Sequence, residues 1–220
     1  MQPLTPVQVR ILGCLIEKER TTPDNYPLTM NALLSACNQT TNRYPVVTFT
    51  EATASNAILN LRSENLLRID HSRSNRADKY RHVLDQVLDV DEAEISLLAV
   101  LMLRGPQTSA ELRTRTDRLH GFGDQHEVES VLARLASRPQ PLVIRLAPLP
   151  GQKEARWAHL LAGEVSLDEV AAATSASSVA AGPSRTERIE ALEAAVADLT
   201  AQHERLRADH DALASRLGDC

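Results

Sequence analysis

Six consecutive polar residues, Asn38-Gln39-Thr40-Thr41-Asn42-Arg43, separate two apolar helical patterns and can bury nothing. Asn38, Gln39, Asn42 and Arg43 offer hydrogen-bond donors, the chemistry by which a protein positions itself on phosphates. The same stretch can instead close local Asx- and ST-type turns, with Thr48 or Thr50 capping the helix that follows. Downstream, Thr53, Asn56, Asn60 and Ser63 share one helical face, with Arg62 at its flank, opposite a stripe of Ala54, Ala57, Ile58 and Leu61. Asparagine on such a face can bond adenine in bidentate fashion, worth ~1–3 kcal/mol of discrimination; it can equally stand solvated. Arg73, Arg76, Lys79 and Arg81 then gather in "HSRSNRADKYR", a set suited to phosphates or to a soluble hairpin tip.

The residue types of catalysis do not assemble in this way. The seven histidines are dispersed, and His120 and His126 flank "GFGDQ", where Asp124 reads as a helix cap. Cys14 and Cys37 lie in apolar runs without a CxxC pair or metal-type spacing, so they read as buried thiols. Gly-rich phosphate loops, G-x-S-x-G and H-E-x-x-H are missing from the sequence. The expectation is a non-enzymatic chain with no cofactor and no metal site.

Elements that would position the polar residues are clearly punctuated. Thr5-Pro6-Val7-Gln8 places an N-cap, a first-turn proline and a Gln that can close a capping box. The same logic recurs at Asp91/Glu94, Thr108/Glu111, Asp124/Glu127 and Ser184/Glu187. Helices are predicted over 6–19, 30–37 and 51–65, with β-type runs at 66–70 and 78–83. The order then repeats: helices over 92–103, 109–115 and 125–137, with β-type runs at 141–146 and 154–161. Three helices and a hairpin, occurring twice, is the order of a winged helix-turn-helix. In that architecture the third helix enters the major groove and the hairpin reaches the backbone or minor groove. The second unit is less suited to DNA, because Asp124, Glu127 and Glu129 crowd the start of its third helix. A protein partner is expected there ahead of DNA, although Arg113, Arg115 and Arg118, just past its second helix, could still touch a DNA backbone.

Length and charge are compatible with this organisation. The chain has 220 residues, enough for one domain or two small ones. Residues 1–163 hold 19 bases against 18 acids, so the acidity behind the net charge of −5 sits at the back. Residues 164–183, "EVSLDEVAAATSASSVAAGP", read as a flexible linker. From residue 184 a heptad emerges. Its a series is Ile189, Val196, His203, His210 and Leu217, and its d series is Leu192, Leu199, Leu206 and Leu213. The start, "MQPLTPVQV", lacks a basic, apolar leader, and no apolar run approaches the ~20 residues that span a bilayer. A cytoplasmic protein without a membrane partner is expected.

"LTPVQVRILGCLIEKERTTPDNYPLTMNALLSACNQTTNRYPV" is similar to the YceH-type family of uncharacterised bacterial proteins. "SNRADKY", "LLRGPQTSAELRTRTDRLHGF", "PGQKEARWAHLLAGEV" and a tail ending in "LGD" extend the resemblance over nearly the whole chain. The resemblance implies a tandem winged-helix fold and supplies no activity. Where similar proteins often carry Lys, this chain has Thr40, which removes one phosphate contact from the polar run.

Taken together, a mainly α protein with small β-hairpins is expected. Two winged helix-turn-helix domains (1–88 and 89–163) would be followed by a linker (164–183) and a coiled-coil helix (184–220). Double-stranded DNA is the expected partner of a homodimer, with Asn38, Gln39, Asn42, Arg43, Thr53, Asn56, Asn60, Arg62, Arg73, Arg76 and Lys79 at the interface. The alternative is an adaptor whose winged helices bind proteins.

Overall fold

A computed structural model describes residues 2–71, 77–148 and 154–165, together with Thr200, His203 and Arg207. The chain divides into two units, Met1–Ala176 and Ser177–Cys220.

The first unit opens with α1 (Pro6–Thr21). Thr5 accepts a hydrogen bond from the Gln8 amide at 3.3 Å, and the Gln8 side chain accepts one from the Thr5 amide at 2.7 Å. A 3-10 turn (Pro23–Asn25), β1 (Leu28–Thr29) and α2 (Met30–Cys37) follow, and Thr29 caps α2. α3 (Glu51–Ser63) is capped by Thr50 rather than Thr48. It stops two residues before the expected end, where Asn65 takes a φ of 58°. β2 (Leu67–Asp70), β3 (Lys79–His82) and α4 (Leu84–Leu88) complete this half. The second half comprises α5 (Glu92–Arg104), α6 (Ser109–Thr116), α7 (Gln125–Ala136), β4 (Val143–Leu146) and β5 (Arg156–His159).

Capping boxes close at Asp91/Glu94 and Thr108/Glu111. At α7 the expected box is altered. Asp124 accepts from the Glu127 amide at 2.8 Å, but the Glu127 carboxylate takes the Gly123 amide, one residue ahead of the cap. β1 and α4 were too short to show a period in the sequence.

The first sheet is antiparallel with strand order β1-β3-β2. The second is the antiparallel pair β4-β5. Gln107, just before α6, makes an isolated bridge to Trp157 of β5, with N–H···O distances of 3.0 and 2.7 Å. It stands where β1 stands before α2, so the two halves share an element order down to this short bridge. The protein is therefore α+β, with helices dominating and small antiparallel sheets at two places.

Two helices form the spine. Residues Gln8–Ile16 of α1 and Glu94–Leu103 of α5 are buried all the way round, as central helices must be. They meet at Gly13, where an added Cβ would lie 3.0 Å from the Leu103 side chain and 3.3 Å from Met102 Cβ. The absent side chain lets the two helices approach closely. One hydrophobic cluster runs from Leu4 through both halves to Leu161, crossing residue 88. The Leu4 amide donates to the Leu161 carbonyl at 2.8 Å, which ties the residues just ahead of α1 to those just after β5.

In the second unit, Thr200, His203 and Arg207 are helical and exposed. Of the expected coiled-coil positions, Ile189, Leu192, Val196, Leu199, Leu206, His210, Leu213 and Leu217 lie outside the described residues, as does Ser184. Among the described residues no helix is long and apolar enough to cross a membrane.

Candidate nucleic-acid interface

Within the polar run 38–43, Arg43 turns inward and Asn38 is tied to the backbone, while Thr40, Thr41 and Asn42 stay exposed, which corrects part of the expected interface. The Arg43 side chain is fully buried and paired with Glu17. Its Nη1 and Nη2 reach the two Glu17 carboxylate oxygens at 3.0 and 2.6 Å, and its Nε donates to the Ala36 carbonyl at 3.0 Å. Burial pulls this guanidinium toward losing its proton, but the Glu17 carboxylate outweighs it and raises the pKa above the ordinary value. Such a fork has no donor geometry left for a phosphate. Asn38 is equally committed: its amide donates to the Phe49 carbonyl at 3.0 Å and accepts from the Phe49 amide at 2.8 Å. Asn42 adopts a φ of 61°, and its side-chain oxygen accepts from Arg104 at 2.6 Å. The adjacent Tyr44 amide donates to the Leu103 carbonyl at 2.8 Å. Phosphate contacts from Asn38 and Arg43 are thus replaced by contacts that set the entry to α3, and Asn42 anchors the run on the end of α5.

Sequence reasoning missed the partners. Arg10, read only as part of a helix, is buried and donates to the carbonyls of Cys37 at 3.1 Å and Pro45 at 2.6 Å. The thiols of Cys14 and Cys37 are free, buried and turned to each other. Their mutual hydrogen bond, then burial, pushes Cys37 well above the usual thiol range. None of these pairs shares a local spacing, so no sequence period signals them.

Gln39 and Lys79 are brought together. With Lys18, Thr22, Asp24, Thr29 and Ser35 they line a groove of about 510 Å³ between the end of α1, β1 and α2.

α3 presents the expected face. Ala54, Ala57, Ile58 and Leu61 are buried behind it, while Asn56 and Asn60 are exposed in front and Arg62 is exposed at the flank. Among the described residues, the side chains of Asn56, Asn60 and Arg62 are bonded to nothing within the chain. Thr53 is half-buried, and its hydroxyl lies 2.9 Å from that of Thr50. Leu59, also exposed at 58%, sits within the same arc and had not been included.

Arg73 and Arg76 lie outside the described residues. On the described strands, Arg68 of β2 stands directly opposite Arg81 of β3, and Asp70 stands opposite Lys79. Arg68 and Arg81 are both exposed. Arg68 was overlooked because a lone arginine in a four-residue strand carries no signal until the register is known.

In the second half several arginines serve contacts within the chain, while Arg118 and Arg145 are exposed. Arg113 donates to the Gly123 carbonyl, Arg115 and Arg156 pair with Glu111, and Arg134 bridges Asp91 and Glu94. Arg138 donates to the Leu88 and Asp89 carbonyls. Beside α7 an open cleft of about 650 Å³ is lined by Asp91, Glu92, His120, Asp124, His126 and Glu127. Among the described residues no three His, Cys, Asp or Glu side chains converge as metal ligands would. Phosphate would find little to bind there.

Residues 4–152 match the family described as protein of unknown function, DUF480. The chain belongs to the DUF480 family. Its relatives extend the similarity beyond the matched region. A UPF0502 protein of Burkholderia multivorans is 44% identical over 218 residues, covering 99% of this chain and 91% of its own. A UPF0502 protein of Geobacter sulfurreducens is 48% identical over 197 residues, 89% of this chain and 90% of its own. One from Leptothrix cholodnii is 45% identical, over 98% of this chain and 96% of its own. The YceH-type resemblance is in keeping with this DUF480 membership.

Proposed function

We propose that this DUF480 chain is a non-enzymatic, cytoplasmic winged-helix protein that binds double-stranded DNA, with α3 as its reading helix. The supporting observation is the front of α3. Three hydrogen-bonding side chains, Asn56, Asn60 and Arg62, are exposed and uncommitted on a helix whose back is locked into the core. Gln39 and Lys79, joined in one groove, would add backbone contacts. The duplicated order of three helices and a hairpin is the order of two winged helices. The second of these would position or assemble the complex, since Arg113, Arg115, Arg134, Arg138 and Arg156 serve contacts within the chain and Asp124, Glu127 and Glu129 crowd the start of its third helix. The tail would pair two copies as a coiled coil, and bivalent binding would offset weak affinity at each site.

The test is binding of the full chain to random duplex DNA at about 50 and 200 mM salt, beside an Asn56→Ala/Asn60→Ala variant. Salt-sensitive binding that weakens in the variant is expected. An intact dimer that binds no duplex at the lower salt would reject the reading. A second reading, an adaptor for a protein partner, is favoured by Leu59, an apolar side chain exposed among the polar groups of α3. Under that reading Leu59→Ala weakens partner binding, while Asn56 and Asn60 matter little.

A further inference from the structure

We infer that the outer face of the β1-β3-β2 sheet is a phosphate-binding seat in which Arg68 and Arg81 grip one backbone phosphate of the bound duplex. This deepens the DNA reading above and rests on it for the identity of the ligand. The register places Arg68 directly opposite Arg81. Side chains opposed in this way have Cβ atoms ~5 Å apart, and like charges there are destabilising. Both side chains are exposed, and among the described residues neither forms a salt bridge. Glu19, an acid that acts on Arg81, has its carboxylate 2.7 Å from His82 Nε2. Asp70, next along the same face, stands opposite Lys79. Two guanidinium groups opposed in this way, with no ion pair to either among the described residues, would gain from an anion bound between them.

Phosphate suits the pair better than a carboxylate. The two unesterified oxygens of a backbone phosphate stand apart on a tetrahedral phosphorus, so each guanidinium can bond one of them. The face also continues. Lys79 lies two residues from Arg81 on β3, about 6.8 Å along the strand. It neighbours Thr29 on β1 and opens into the groove that Lys18 and Gln39 line. A chain of phosphates laid over Arg68 and Arg81 would therefore run toward Lys79 and Lys18.

The experiment uses the full chain with Arg68→Gln, Arg81→Gln and Asn56→Ala/Asn60→Ala variants. Thermal melts are recorded at low salt with and without inorganic phosphate, using chloride of equal ionic strength as the control. Duplex binding is then measured across salt. Without phosphate, Arg68→Gln should melt higher than the parent, because the opposed charge is gone. Phosphate should raise the parent's melting temperature and shift Arg68→Gln and Arg81→Gln much less. Each arginine variant should bind duplex several-fold more weakly, with a salt slope lower by about 1. Equal phosphate shifts in all proteins together with an unchanged salt slope would overturn the seat, even if duplex binding still depended on Asn56 and Asn60. A phosphate shift lost in Arg68→Gln, in a chain that binds no duplex, would keep the anion seat and reject DNA as its occupant.

Discussion

Arg43 and Glu17 are separated by 26 residues in sequence and form a forked pair in the interior. Removing one partner of such a pair strands the other charge, so Arg43→Ala should cost ~3–5 kcal/mol. Arg43→Lys should cost less but remain destabilising, because an ammonium cannot reproduce the fork together with the Nε bond to Ala36. Urea denaturation measures both, and a loss under ~1 kcal/mol for Arg43→Ala, the size expected of a surface pair, would contradict this account. His159 offers a second test. Burial lowers its pKa from 6.5 to about 4, and its Nδ1 has no partner. Its folded pKa lies below its unfolded one, so the unfolded chain binds the extra proton between about pH 6.5 and 4. Stability is therefore lost as pH falls through that window, by ~1.4 kcal/mol per unit of separation. His159→Gln should lessen the difference in denaturation midpoint between pH 7 and pH 5.

At the scale of elements, the meeting of α1 and α5 is the sharpest point. A Cβ at Gly13 would press on Leu103 and Met102. Gly13→Ala gains ~1 kcal/mol of helix propensity but meets an overpacking cost of ~1–3 kcal/mol. The net loss should be small, whereas the stiff branched side chain of Gly13→Val should destabilise by more than 2 kcal/mol, a rough expectation from the same overpacking range. Leu103→Ala combined with Gly13→Ala should be less destabilising than the sum of the two, since one relieves the contact made by the other. Additive losses in that double-mutant cycle would show that the helices do not meet at Gly13.

For the first unit as a whole, the hydrophobic cluster leaves no seam at residue 88. α1 and α5 each bury a full circumference, and the polar run of the first half is bonded to Leu103 and Arg104 of the second. Heat should therefore unfold both halves in one transition, with matching calorimetric and van't Hoff enthalpies. Two separated transitions, or a stably folded chain ending at residue 88, would count against it.

Helix starts, the α3 stripe and the repeated element order were legible because each depends on spacings of a few residues. Thr5, Asp91 and Thr108 announce their capping boxes within four positions, and Ala54, Ala57, Ile58 and Leu61 declare a buried face by period alone. The fate of "NQTTNR" was not legible. Whether Arg43 meets a phosphate or Glu17 depends on a partner 26 residues away, and Asn42 depends on Arg104, which belongs to the other half. Arg68 became interesting only when strand register set it against Arg81. Local pattern determined which residues could be polar, apolar or capping. Tertiary structure decided which polar groups are consumed inside and which stay outside, because burial and long-range pairing are properties of the packed chain.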